Sequence, residues 1–450
     1  MIRRVTVDER RKMVLSGNIV RTLLFLSFPT IMMSFVSALI PLTDGLFLNR
    51  TSGYVIAAAI GYDQQIINIL IATSMGLGAA AMSYLGQING SGDMKLVKKA
   101  AMNILVFSFI ISLLIVPLTI FVASFAKNMV NAEISESVFV YLSAYSLVIP
   151  FLFMSSIYNS IKNAFGQPEA TLIRMVILFI LKISFNAIFL YVLKLKLIGA
   201  VMSSFASYLI VGIWMIYDLF IKETETKLTF KNFRFDYNII KKIIKIAIPS
   251  ILSYIMINLA FFLINTEVEK YGTIVLTAQT ISGNINNMCF TLPSSISTSI
   301  ATMVSINIGA NQVSNAKKTH KIGCVFSVIL SLILIVIFYP SSEFLARLFQ
   351  DNEEIVRLTV HSLDIYTFSI IGFAIFMVTQ GAFIGMGKTK YVLLFGILRL
   401  WLIRYLFILV TKKYLGVDSV FWGNLLSNYL AGFLFLLLSF KIKWTSAIKN

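Results

Sequence analysis

"TLLFLSFPTIMMSFVSALIPLTDGLFLNR", residues 22–50, opens with 22 residues, Thr22 to Thr43, that carry no charge, and then places Asp44 and Arg50 at its far end. At 1.5 Å per residue a helix of that length covers about 33 Å, enough to cross the hydrocarbon core of a bilayer. The stretch is therefore read as a membrane-spanning helix. Composition extends the reading to the whole chain: of 450 residues 58% are hydrophobic and only 13% charged, with a mean hydropathy of +0.85. Further apolar runs of spanning length follow at Gln64–Gly92, Ala101–Ala126, Ser137–Ile161, Met175–Leu193, Leu197–Tyr217, Ile246–Thr266, Tyr271–Ala316, Ile322–Ser342, Ile365–Gly387, Tyr391–Thr411 and Ser419–Phe440. Their length and the absence of period-two alternation exclude a barrel. The expectation is an all-α polytopic membrane protein with twelve transmembrane helices.

The formal net charge of +18 is unevenly spread. With twelve spans, the side that holds both termini collects 26 of the Lys and Arg residues, the other side 9, and three lie inside spans. That excess marks the richer side as cytoplasmic, and it speaks against nucleic acid as the partner. Cys289 and Cys324 fall in or beside apolar runs, so no disulfide framework is expected. The basic leader "RRVTVDERRK", residues 3–12, reads as a lead-in to the first span, because the apolar run after it is too long for a cleavable signal.

The chain also repeats itself. "FLSFPTIMMSF" around Pro29 returns as "KIAIPSILSYI" around Pro249, "NGSGDMKLVKKA" as "NIGANQVSNAKKT", and "NAFGQPEATL" as "GMGKTKYVLL", at offsets of 219 to 221 residues. Three ordered matches at one offset indicate duplication into two pseudo-symmetric six-helix bundles. Six is even, so both halves enter the membrane in the same sense, a plan found in transporters. The expected division is 1–221, a cytoplasmic linker over 222–245, and 246–450. The linker carries "KETETKLTFKNFRFDYNIIKK", which reads as a basic tether lying near anionic lipid.

These anchors resemble the MATE (multidrug and toxic compound extrusion) family of the multidrug/oligosaccharidyl-lipid/polysaccharide flippase superfamily. The likeness rests on Pro29 with Asp44 in "LTDGLFLNR", the Gly-rich turns, "LRLWLIRY" at 398–405 and "GVDSVFWGNLLSN" at 416–428. It implies two six-helix bundles forming a V, and export of bulky, often cationic amphiphiles in exchange for protons or sodium. It also implies a multi-pass protein of a bacterial plasma (inner) membrane, working as a monomer with no cofactor. The alternative from the same superfamily is a flippase for lipid-linked oligosaccharide or polysaccharide precursors. An enzyme is not expected: the chain has two histidines, no HEXXH and no nucleotide-binding loop.

Charged groups inside spans mark ion paths by default. Asp44 lies about 9 Å below the boundary set by Arg50, and it matches the family's first-helix aspartate, which the resemblance implicates in cation coupling. Pro29 and Pro41 each remove a backbone hydrogen bond and let the first span bend. In "LKISFNAIFLYVLKLKLIGA", Lys182 and Asn186 share a helix face at i, i+4. They fall where many relatives carry asparagine and aspartate, respectively. Lys182 is either the counter-ion of Asp44 or a snorkelling lysine. The second half has no counterpart of Asp44; Asp364 is its one intramembrane carboxylate candidate, read as an outer-end charge beside His361. Arg399 and Arg404, five residues apart, are expected to face different neighbours; they match the family's helix 11 arginines and are read as structural first, cavity-lining second. Candidates for a substrate cavity are Asn258, Asn284, Asn286, Asn287, Met288 and Gln380, with Gln64, Gln65 and Asn68 in the second span. Asp63 is read as interfacial.

Overall fold

The computed structural model describes residues 6–51, 53–231 and 233–446. Arg3, Arg4 and Lys449, counted above among the basic residues, and the side chain of Arg50 lie outside the described residues. Among the described residues the chain forms helices and no strands. Twelve helices are long and apolar enough to span a membrane. They are α1 (Ile19–Leu48), α2 (Ala58–Ser91), α3 (Met94–Met129), α4 (Ala132–Ala164), α5 (Pro168–Val192) and α6 (Lys196–Ile221) in the first half. In the second half they are α7 (Tyr237–Glu269), α8 (Thr273–Gly309), α9 (Val313–Phe338), α10 (Glu353–Gly385), α11 (Thr389–Leu415) and α12 (Asp418–Lys441). A leader helix, Val7–Ser16, precedes α1, and a short amphipathic helix, Ser342–Phe349, lies between α9 and α10.

Local chemistry sets the ends of these helices. Asp93 caps α3 by accepting from the backbone of Leu96, and Asn352 caps α10 by accepting from Glu354 and Ile355. Pro168 occupies the first turn of α5, where its missing N–H costs nothing. The repeated motifs are helix-ending turns. Gly92, Gly166 and Gly387 adopt positive φ, and at the fourth position Asn311 does so, with φ 60°. After Gly166, Asn311 and Gly387 the next amide reaches back to the carbonyls of Lys162, Asn307 and Phe383 at 2.8–2.9 Å, the Schellman closure. Asn is the side chain that tolerates this region best after Gly, which is why the duplication survives a Gly-to-Asn difference there.

The chain forms two compact units. One comprises Met1–Lys12 and Met32–Ile251, the other Met13–Ile31 and Leu252–Asn450. The exchange points fall two residues beyond Pro29 in α1 and two beyond Pro249 in α7. Inside the first unit α2 packs on α4; inside the second α8 packs on α10. Both contacts use the same device, small residues that let backbones approach. Ser160 Oγ donates to the Gly78 carbonyl at 2.7 Å, and Ser297 Oγ donates to the Met377 carbonyl at 2.6 Å. Gly78 and Ser160 correspond to Ser297 and Gly381 at the repeat offset, so glycine and serine exchange positions between the halves, while the second serine bonds Met377, one turn before Gly381. A Cβ at Gly381 would run into the Ser297 carbonyl. Gly381→Leu should therefore destabilise by about 1–3 kcal/mol or more, seen as a lower unfolding temperature in detergent.

The linker is not a free tether. Leu228 is buried and donates its amide to the Leu219 carbonyl at 2.7 Å, and Glu225 accepts from the backbone of Val7 in the leader helix at 2.7 Å. Asp236 bonds Lys99 at 2.6 Å, and that hydrogen bond holds the Asp236 carboxyl below its ordinary range. The α7 helix then starts at Tyr237, inside the stretch expected to be linker. Lys162 and Arg174, counted above as loop charges, are buried within α4 and α5. Lys162 pairs with Asp218 at 2.6 Å, their side chains only 3% and 6% exposed, and Tyr158 donates to the same carboxylate at 2.9 Å. Asp218→Asn would leave the Lys162 ammonium buried without a counter-charge. The expected cost is about 3–5 kcal/mol, much of it recovered in the Asp218→Asn/Lys162→Met double variant. Thermal unfolding of the purified variants measures both.

Candidate functional site

Helix α1 brings Asp44 to the face of α5 that carries Lys182 and Asn186. The Lys182 Nζ lies 2.9 Å from Asp44 Oδ2, and Asn186 Nδ2 donates to Asp44 Oδ1 at 2.6 Å. Each carboxylate oxygen thus has its own donor from one helix face, as the i, i+4 spacing allows. Lys182 pairs rather than snorkels. Its side chain is 5% exposed, whereas that of Asp44 is 27% exposed, so the carboxylate remains the accessible partner. The ammonium also donates to Ser204 Oγ in α6 at 2.8 Å. Tyr141 and Tyr145 of α4 and Tyr208 of α6 stand near the carboxylate, within an apolar cluster that includes Phe47, Leu48 and Leu190. Asn186 is the last α-helical residue of α5; a π-helical turn, Ala187–Val192, follows it directly. Such turns are frequent at functional positions. All of these groups belong to the first unit.

An ammonium and a carboxylate in this arrangement neutralise one another in a setting where either alone would be costly. A proton added to Asp44 would remove the negative member and leave the site net positive. The helix that would feel this change is interrupted by proline twice: α1 stays helical through both Pro29 and Pro41, each of which deletes one backbone hydrogen bond.

Arg399 and Arg404 lie in a π-helical segment of α11, Leu398–Tyr405. In π geometry residues five apart share a face, yet each side chain keeps its own partners, as expected. Arg399 Nη1 donates to Asn428 at 2.9 Å and Arg404 Nη1 to Asn424 at 3.0 Å, and the two asparagines bond one another at 3.2 Å. The Arg399 guanidinium also lies over the rings of Phe373 and Phe376.

The remaining candidates scatter over both units. Asn284, Asn287 and Met288 are exposed; Asn258 is half-buried and donates to the Tyr254 carbonyl of its own helix. Gln380 is buried, and so is Asn286, whose Oδ1 has no hydrogen-bond partner among the described residues. Asp364 is half-buried, and His361 binds Asp418 at 3.0 Å. In α2, Gln64 and Gln65 are exposed and Gln64 donates to Asn68 at 3.0 Å. One residue escaped the sequence reading and one was misplaced by it. Ser204, which holds Lys182, has no signal beyond the serine-rich run of α6. Asp63 is fully buried rather than interfacial, with neither carboxylate oxygen partnered among the described residues.

A family model described as MatE matches residues 29–188 and 249–410, one match in each half. The multidrug export protein MepA of Staphylococcus haemolyticus (strain JCSC1435) is 21% identical over 444 residues, covering 97% of this chain and 96% of that protein. Two solved structures described as a MATE in the straight and in the bent conformation each share 22% identity, with TM-scores of 0.90 and 0.89. They cover 97% and 98% of this chain, and 98% of each of theirs.

Proposed function

The chain belongs to the MatE family, and from that membership we propose a secondary active exporter of small amphiphilic, preferentially cationic compounds, driven by proton uptake at Asp44. The observation that carries this reading is the Asp44–Lys182–Asn186 constellation. Export of drugs is the activity for which the MepA relative is named, and it is the class of function carried over here. Protons are favoured over sodium because the Lys182 ammonium already occupies the position beside Asp44 that a metal cation would need, and two cations at one carboxylate repel.

The cycle follows from charge. With Asp44 ionised, the site is neutral and a cationic cargo meets no net repulsion. A proton arriving from outside binds the Asp44 carboxylate; Lys182 keeps its own protons and its bond to Ser204. The site becomes net positive, and the cargo loses affinity and leaves outward. Protonation also frees Asp44 from the ion pair to α5, which biases α1 between conformations at Pro29 and Pro41; differential affinity sets the extent of that shift. The occurrence of solved relatives in straight and bent forms supports a two-state element. The basic ends of the spans, and with them both termini, face the cytoplasm of a bacterial cell. One pH unit supplies about 1.4 kcal/mol and 100 mV about 2.3 kcal/mol per charge.

The test is reconstitution in liposomes with a fluorescent organic cation, imposing a pH gradient or a sodium gradient separately. Dye movement driven by the pH gradient and indifferent to sodium is expected. Movement under sodium alone would sink proton coupling, and none under either would sink the exporter reading.

A further inference from the structure

The second unit holds two buried cations for which the described residues supply no anion. Arg399 and Arg404 are 6% and 5% exposed. Their acceptors are neutral: Asn428 for Arg399, and Asn424 and the Tyr366 phenol for Arg404. The Asn428 to Asn424 bond closes these contacts into one network, extended by Asn424 Nδ2 donating to Ser369 at 3.3 Å. The rings beside them, Phe373, Phe376 and Phe261, add cation–π attraction without neutralising charge. Among the described residues of this unit, Glu267 is taken by Lys270 and Lys412, and Asp418 by His361, while no carboxylate lies within ion-pair distance of either guanidinium. The first unit solves the same problem differently: its intramembrane Lys182 has Asp44.

Two further features point to a ligand. The Nε atoms of both arginines are buried and have no hydrogen-bond partner among the described residues, although a guanidinium N–H is an obligate donor. The π-helical segment that carries them gathers both guanidiniums on one side of α11, against one asparagine pair. A regular α-helix would separate residues five apart around its circumference. A buried charge without a counter-charge is rare because desolvation opposes it. An acceptor with a full negative charge beside the pair would offset that imbalance and offer a partner to an unsatisfied Nε donor.

We propose that Arg399 and Arg404, with Asn424 and Asn428, form a binding site for a monovalent anion within the second unit. The anion is either a halide or the carboxylate head of an amphiphile; both offer the same acceptor chemistry to the guanidiniums. The site stands on the geometry of α10, α11 and α12 and is independent of proton coupling at Asp44.

The experiment follows thermal unfolding of the full chain in detergent micelles. Sodium sulfate, whose anion is divalent, is replaced stepwise by sodium chloride, and in a second arm by sodium octanoate, at constant ionic strength. A saturable rise in Tm with chloride identifies a halide site, and a rise with octanoate alone identifies an amphiphile headgroup site. Arg404→Gln should weaken the apparent affinity about tenfold or more, the loss of a charge-assisted contact. Asn428→Asp is the decisive variant, because it places a carboxylate beside Arg399 and should raise Tm in sulfate while abolishing the response to the monovalent anions. It also keeps the test open where Arg404→Gln fails to fold. No saturable rise with either anion in the wild-type chain, or an undiminished response in Asn428→Asp, overturns the site.

Discussion

Asp44→Asn should abolish concentrative export while leaving the protein folded. Asparagine keeps a carbonyl oxygen to accept from Asn186 or Lys182, so the contacts at 2.6 and 2.9 Å have a neutral substitute. It cannot take up or release a proton. A coupled exporter exchanging one proton per cargo sustains about a tenfold cargo gradient per pH unit. The variant should relax to an equal distribution, and the imposed pH gradient should neither speed nor deepen dye movement in liposomes. The substitution leaves Lys182 buried with no carboxylate, so a fall in Tm is expected as well. The Asp44→Asn/Lys182→Met double variant separates the two effects, since it should recover stability without recovering transport. Concentrative, gradient-driven movement in a folded Asp44→Asn protein would refute the role of Asp44.

The second large effect is a change of coupling ion. Lys182→Asn/Asn186→Asp removes the resident ammonium and adds a carboxylate within 2.6 Å of the Asp44 oxygen. Two carboxylates that close cannot both stay ionised alone; they share a proton or take a cation between them. Sodium should stimulate dye export by about tenfold in this variant, corresponding to about 1.4 kcal/mol of cation preference, and should leave the wild type unaffected. A double variant that is folded and still blind to sodium would show that Lys182 does not exclude the ion.

The sequence exposed what periodicity and composition can carry. Twelve spans, the duplication and its helix-ending turns follow from apolar runs and repeated glycines, and Gly166 and Gly387 do adopt the positive φ that such turns need. The Asp44–Lys182–Asn186 cluster was partly legible, because a lysine and an asparagine one turn apart must share a helix face. Its partner could not be chosen between Asp44 and the headgroups until α1 and α5 were placed together. Two things were not legible at all. The π-helical segment at Leu398–Tyr405 changes which residues align, and no local pattern in "LRLWLIRY" announces it. Burial of Asp63 and of the Lys162–Asp218 pair depends on how neighbouring helices close around them. A charge near the end of an apolar run looks the same in sequence whether it meets lipid, water or another side chain. The linker misled for a related reason: its charges read as a tether to anionic lipid, while Leu228 and Asp236 anchor it to the first unit.

Proton exchange on cargo binding tests the central role of Asp44 most directly. Purified protein in weakly buffered detergent, with a pH indicator, is mixed with a saturating organic cation at a series of starting pH values extending to the acidic side. A stoichiometric release of protons is predicted for the wild type and none for Asp44→Asn. Equal release from both proteins, or tight cargo binding by the wild type with no release, would contradict coupling through Asp44.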